Sequence, residues 1–218
     1  MTRYQVTLTG VSPLLMHADD VEWRTRISDW RNDPLNKKKG NAGDDRSPAW
    51  SWIGYTYRDA GLIGIPSDNL MTCIRDGASQ VIVKGNKTFK AQSQSGIMVD
   101  DFLWPIMVNG KTVPWDKIES LIGQEDFEEH KKTAIESGFE LFVKPAKVGT
   151  AKHIRVRPRF NTWEVSGTIS VFDSMIKKKI LEQIFYMAGT YCGLCDWRPK
   201  SKTPGQFGRF TVKLEAIK

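Results

Sequence analysis

Apolar and polar positions along the chain alternate with a period of two in several short runs and repeat with a helical period in two longer ones. In residues 3–8, Tyr4, Val6 and Leu8 fall on one side and Arg3, Gln5 and Thr7 on the other, which predicts a half-buried strand. Gly10 and Pro13 break it. Residues 139–143, 153–159, 163–172 and 209–215 read as further strands, as do Ile97–Val99 and 102–108, the last running into an Asn109-Gly110 hairpin turn. Ser67, followed by Asp68, opens a helix whose buried face is Leu70, Ile74 and Ala78 and which ends near Ser79. A second helix is expected over 173–189, capped by Asp173, with Ile176, Ile180, Leu181, Ile184, Phe185 and Ala188 as its apolar stripe. Residues 115–122 form a short helix candidate, and 125–136 are acidic and polar.

Two stretches carry no clear period. Residues 19–51 mix charges and turn formers, including the Lys37-Lys38-Lys39 run, Gly40, Gly43, Asp44 and Asp45, with scattered apolar anchors at Val21, Trp23, Ile27, Trp30 and Leu35. So long a loop is usually functional or disordered, and it reads as a protruding insertion after the first strand. Residues 81–94 read as a second excursion. The ordered elements run strand, helix, several strands, helix, strand, with no repeat and no interdomain linker. This predicts one α+β domain over 1–218: a ferredoxin-like or RRM-like β-α-β-β-α-β core with an antiparallel sheet and long loop insertions.

Charge narrows the choice of partner. The formal net charge is +7, so anions are the expected ligands. Hydrophobic residues make up 40% of the chain, enough for a core and against global disorder. No apolar run reaches transmembrane length, and residues 1–8 alternate like a strand and do not read as a secretory leader. Three cysteines fit a reducing compartment better than a disulfide framework. The expected location is therefore the cytoplasm, with no membrane partner.

Two basic segments carry the candidate chemistry. In 153–159, His153, Arg155, Arg157 and Arg159 share one side of a strand, preceded by Lys152, with no acid among them. A one-sided basic stripe is the electrostatic footprint of a nucleic-acid binder; the alternative is an edge strand guarded by charge. In 193–208, Arg198, Lys200 and Lys202 lie among glycines with two aromatics, Trp197 and Phe207, and Arg209 follows. Glycines allow close backbone approach to phosphate and aromatics stack on bases. The Lys177-Lys178-Lys179 run is less specific. His17 has the chemistry of a general base toward a ribose 2′-hydroxyl. Asp19, Asp20, Asp44 and Asp45 could hold a divalent cation, although without motif spacing they read as solvated loop acids. Cys192 and Cys195 form a C-x-x-C pair with no second pair, so no metal or other cofactor is expected. Walker, Rossmann, H-E-x-x-H and G-x-S-x-G motifs are absent.

Three landmarks together resemble the RAMP superfamily of CRISPR-associated proteins, in particular the backbone subunit that repeats along a guide RNA. They are the first strand leading into TGVSPLLMH at 9–17, the helix entry GIPSDNLMTCIRDGA at 64–78, and the last helix feeding a glycine-containing basic loop and a final strand. Met71-Thr72 stands where an arginine and a glycine are common in the family, and the loop glycines are spaced. A compact viral or plasmid-borne relative is an equal reading. The resemblance implies an RRM-like palm with an excursion after the first strand, RNA held by its phosphates, side-by-side self-association, and other effector subunits as partners in a ribonucleoprotein of antiviral defence. In some members an aspartate of that excursion cuts RNA, and in the RNA-processing branch a histidine after the first strand acts as base; here those roles fall on Asp19 or Asp20 and on His17. The expectation is a non-enzymatic, sequence-independent binder of single-stranded RNA, with Arg155, Arg157, Arg159, Arg198, Lys200, Lys202 and Arg209 on phosphate and Trp197 and Phe207 at the loop. The alternatives are a metal-independent endoribonuclease using His17 and an interaction protein that mimics or blocks such a subunit. Phosphate contacts do not distinguish RNA from single-stranded DNA.

Overall fold

The computed structural model describes residues 1–39, 43–85 and 87–217. Gly40, in the expected insertion, and Asn86, in the second expected excursion, lie outside the described residues. In chain order the elements are β1 (Thr2–Gly10), β2 (Leu14–Leu15), α1 (Val21–Asn32), β3 (Arg58–Asp59), β4 (Leu62–Pro66), α2 (Ser67–Ala78), β5 (Ile82–Lys84), β6 (Lys87–Thr88), α3 (Lys90–Gly96), β7 (Ile97–Val99), β8 (Leu103–Val108) and β9 (Lys111–Thr112). They continue as α4 (Asp116–Glu119), α5 (Phe127–Glu136), β10 (Glu140–Val148), β11 (Ala151–Phe160), β12 (Glu164–Val171), α6 (Lys178–Met187) and β13 (Phe210–Ile217). The protein is α+β with antiparallel sheets. Among the described residues no helix is long and apolar enough to cross a membrane.

The chain divides into two compact units: Met1–Leu15 with Gly64–Thr112 and Asn161–Lys218, and Met16–Ile63 with Val113–Phe160. The stretch expected as one excursion over 19–51 thus belongs to a unit that also takes in 113–160. Residues 81–94 lie in the first unit as the β5–β6 hairpin and most of α3.

In the first unit the strand order is β13-β1-β12-β8-β4, with β7 also on β12 and β9 on β8, every pair antiparallel. Register places Tyr4, Val6 and Leu8 of β1 beside Ile169, Gly167 and Val165 of β12 on one face, all buried. The other face carries Arg3, Gln5, Thr7 and Thr9 opposite Ser170, Thr168, Ser166 and Glu164. This is the alternation read from residues 3–8, confirmed in three dimensions. Helices α2 and α6 pack closely because Gly77 has no side chain. An added Cβ would lie 2.7 Å from the Ala188 nitrogen and closer still to the Ile184 carbonyl oxygen.

The helix boundaries differ in detail from expectation. Ser67 is the first residue of α2, and Pro66 occupies the cap. Asp173 does not cap α6: its carboxylate accepts the Met175 N–H at 2.7 Å in a separate turn, and α6 starts five residues later, after Lys177. The end of α6 widens into a π-turn over Ala188–Cys192.

The second unit contains helix α1, which lies inside the stretch 19–51 expected as a loop insertion. Asp20 caps α1 by accepting the Trp23 N–H at 3.0 Å, and Glu22 complements the first turn. Trp23 is the residue of α1 that is buried; its indole N–H donates to the Ser51 carbonyl at 3.1 Å and its ring meets Trp50 edge-on at 5.5 Å. The core continues with Trp52 against Phe139 at 5.8 Å and Phe139 against Phe160 at 5.0 Å, among aliphatic residues such as Ile53, Ile118, Leu121 and Val156. The acidic stretch 125–136 is mostly helix α5, capped by Asp126. Its His130 is enclosed: Trp52 Nε1–H donates to Nδ1 at 3.1 Å, so Nε2 carries the proton and donates to the Gln124 carbonyl at 2.9 Å. Burial holds this imidazole below its ordinary pKa, outweighing the Gln124 carbonyl and the acids nearby.

Candidate functional site

Strand β11 pairs antiparallel with β10, bringing Lys144, Phe142 and Glu140 opposite Arg155, Arg157 and Arg159. The basic row contains no acid of its own, but each arginine finds one elsewhere. Asp45, from the loop after α1, is 3% exposed and sits between two guanidiniums. One carboxylate oxygen accepts from Arg155 Nη1 at 3.1 Å; the other accepts from Arg157 Nη1 at 3.0 Å and from the Val156 N–H at 3.2 Å. Arg159 pairs with Glu140 and lies over the Phe142 ring at 5.0 Å. The repulsion expected of a one-sided cationic strand is thus offset inside the protein. Asp45, read from sequence as a solvated loop acid, is buried at its centre.

Arg157 is itself 8% exposed and lies over the Tyr55 ring at 4.0 Å. Its Nη2 approaches His17 Nε2 at 3.3 Å. A guanidinium has no lone pair to offer, so in this hydrogen bond Nε2 accepts and the His17 proton sits on Nδ1. The nitrogen that a general base would use is occupied by Arg157. His17 also meets Tyr55 edge-on at 5.0 Å.

The acids beside His17 are engaged as well. Asp20 caps α1 and accepts from Arg58 at 2.9 Å. Burial pushes its carboxyl up, but the Trp23 N–H and the Arg58 guanidinium prevail and hold it below the usual value. Asp19 is exposed and paired with Arg24. Among the described residues no three His, Cys, Asp or Glu side chains are placed to share a metal ion.

These groups border two adjoining clefts of about 470 and 410 Å³ in the second unit. The clefts share Arg24, Ile27, Tyr55 and Arg155 and form one groove along α1. Positions 24, 27, 28 and 31 fall on one helical face, and this face of α1 lines the larger cleft. The lining there holds Arg24, Arg31 and Arg155 against a single carboxylate, Asp45, already committed to Arg155 and Arg157. Arg24, Arg31 and Tyr55 are not among the candidate residues that the basic segments mark in the sequence. The Trp23, Ile27, Trp30 spacing was the available signal, because it marks α1 and hence the side from which Arg24 and Arg31 project.

The second basic segment lies in the first unit. Trp197 and Phe207 stack on each other, ring centres 5.6 Å apart and 29° from parallel. Both are half-buried. Gly205 and Gly208 serve close approach within the loop, against the Trp197 and Leu194 backbone. Arg198 donates to the Cys195 carbonyl at 3.1 Å, and Arg209 to that of Thr190. Lys200 reaches Asp76 of α2 at 3.4 Å and Oγ of Ser79, the residue that follows α2, at 3.3 Å, while Lys202 is exposed.

Cys73, Cys192 and Cys195 are free thiols, all buried. Cys73 Sγ donates to the Gly193 carbonyl at 3.2 Å, and burial pushes the Cys195 thiol up to about 12. They pack the mouth of the loop as apolar, protonated groups. Compared with models of known protein families and with curated protein sequences, the chain finds no match.

Proposed function

We propose that the protein is a sequence-independent, non-enzymatic binder of single-stranded RNA of the RAMP type, self-associating along the strand. The observation that carries this reading is the larger cleft of the groove along α1, where Arg24, Arg31 and Arg155 face one carboxylate, Asp45, which is buried and fixes the guanidiniums of Arg155 and Arg157. Preformed guanidiniums on a cleft wall suit phosphate, because Arg matches its geometry with several donors in a plane. In the first unit, the exposed Lys202 is a further cation free to meet phosphate.

The strand order supports the family reading. If β1, β7 with β8, β12 and β13 are numbered one to four, the sheet runs four-one-three-two, all antiparallel, and α2 and α6 fall in the two crossovers. With β4 added beyond β8, this arrangement supports a ferredoxin-like core, the palm the resemblance implies. His17 as a nuclease base has less support, since its Nε2 accepts from Arg157.

The test is the salt dependence of binding to a single-stranded RNA ten-mer. The logarithm of affinity falls with that of salt by about 0.7 per phosphate contact. Arg155→Gln and Lys202→Ala are each expected to reduce the slope by about that amount without unfolding the protein. An absence of RNA binding at 50 mM salt, about the low end of the usual range, overturns the reading; so do unchanged slopes in both variants.

A further inference from the structure

We propose that the groove along α1 is a nucleotide site, taking a nucleoside 5′-phosphate with its phosphate on Arg24, Arg31 and Arg155 and its base against Ile27 and Tyr55. The inference rests on the nucleic-acid reading for its ligand class and on the groove's geometry for its place.

A surface that only tracks a backbone is a line of cations at phosphate spacing. This groove is built differently. Each cleft lies within the ~300–1,000 Å³ range of small-molecule sites, at about 470 and 410 Å³. Its cations come from two walls: Arg24 and Arg31, two turns apart on α1, and Arg155 on β11. Ile27 and Tyr55 lie in both clefts, and both are half-buried. Apolar surface flanked by guanidiniums matches a ligand with a flat, weakly polar body and a dianionic end.

The second wall is held in place. The Asp45 carboxylate anchors Arg155 Nη1 at 3.1 Å, and that arginine's side chain stays one-third exposed. Tyr55 is held by the Arg157 guanidinium at 4.0 Å, whose Nη1 is in turn fixed by Asp45 at 3.0 Å. A wall whose charges and ring are set before a ligand arrives loses less side-chain entropy on binding. The Arg24 wall is looser, since its partner Asp19 is as exposed as Arg24 itself, both 69%. An incoming phosphate can displace that carboxylate at little cost, because exposed ion pairs contribute little.

The experiment is calorimetric titration of the full chain with adenosine 5′-monophosphate, adenosine, inorganic phosphate and a single-stranded RNA ten-mer. The monophosphate is expected to bind at least tenfold more tightly than adenosine or phosphate alone. Arg31→Gln, at an exposed position, and Ile27→Glu, which keeps helix propensity, are each expected to weaken it at least fivefold. Monophosphate that does not bind, phosphate alone binding as tightly, or an Arg31→Gln variant with unchanged affinity overturns the site. A ten-mer weakened by the same factor in Arg31→Gln identifies a nucleotide within a strand as the ligand. A ten-mer unaffected by that change identifies a free nucleotide. RNA binding without monophosphate binding removes the nucleotide site and leaves the RNA reading; monophosphate binding without RNA binding does the reverse.

Discussion

At the scale of single residues, Asp45 decides what the basic strand is for. One buried carboxylate meets Arg155, Arg157 and the Val156 N–H. Breaking such a buried pair strands a charge in low dielectric, which costs about 3–5 kcal/mol. Asp45→Asn keeps the shape and removes the charge, so urea denaturation is expected to show a loss of about 3 kcal/mol or slightly less. An unchanged midpoint would mean that Asp45 does not neutralise the two arginines. The sequence made Arg155, Arg157 and Arg159 visible as a row but not their partners, because Asp45 is 112 positions from Arg157. Glu140 stood in the chain as one acid among many until β10 and β11 set it opposite Arg159. The aromatics of 193–208 show the same limit, since their mutual stacking depends on a loop closure that composition does not encode.

At the scale of elements, α1 and the α2–α6 pair define what patterning reveals. Strands β1, β11 and β13 and helices α2 and α6 were legible because one face of each is apolar. Helix α1 buries only Trp23 among its residues, so its stripe of Trp23, Ile27 and Trp30 passes for scattered anchors. Its cap was nonetheless written in Asp20 and Glu22. Asp20→Ala removes an N-cap, typically worth about 1 kcal/mol, together with the contact to Arg58. Equilibrium unfolding followed by tryptophan fluorescence is expected to show a loss of about 1–2 kcal/mol; no loss would show that α1 does not depend on its cap. In α2, Gly77→Ala gains about 1 kcal/mol of helix propensity. The new methyl would meet the backbone of α6, and overpacking of that kind costs about 1–3 kcal/mol. Thermal melts are expected to show no gain or a net loss, and a clear rise in Tm would mean the helices separate without penalty.

At the scale of the whole molecule, charge and pH act on all elements together. Burial of His130 lowers its folded pKa, whereas the unfolded chain titrates near the ordinary value of about 6.5. Between the two the unfolded state binds more protons, so the stability His130 contributes is complete above about pH 6.5 and is lost as pH falls toward its folded pKa. Denaturation at pH 7.5 and 5.5 is expected to give lower stability at the acid value. His130→Asn, which does not titrate, should flatten that dependence; an equal slope in the variant would place its origin elsewhere. The division of the chain between two units also belongs to this scale. The chain crosses between them four times, so neither unit is a continuous stretch that a composition shift would mark.

The sequence by itself determined the α+β class, the strands with one apolar face, helices α2 and α6, and the excess of cations. These follow from local periodicity and from counting charges, and neither requires knowing which segments meet. Tertiary structure alone decided the two units, the face that α1 presents, the burial of Asp45, and the groove with Arg24, Arg31 and Arg155 around Ile27 and Tyr55. The physical reason is that burial and ion pairing are properties of neighbours in space. A charged residue far from its partner reads as solvated until the fold brings the two within 3 Å of each other, as it does for Asp45 and Arg157.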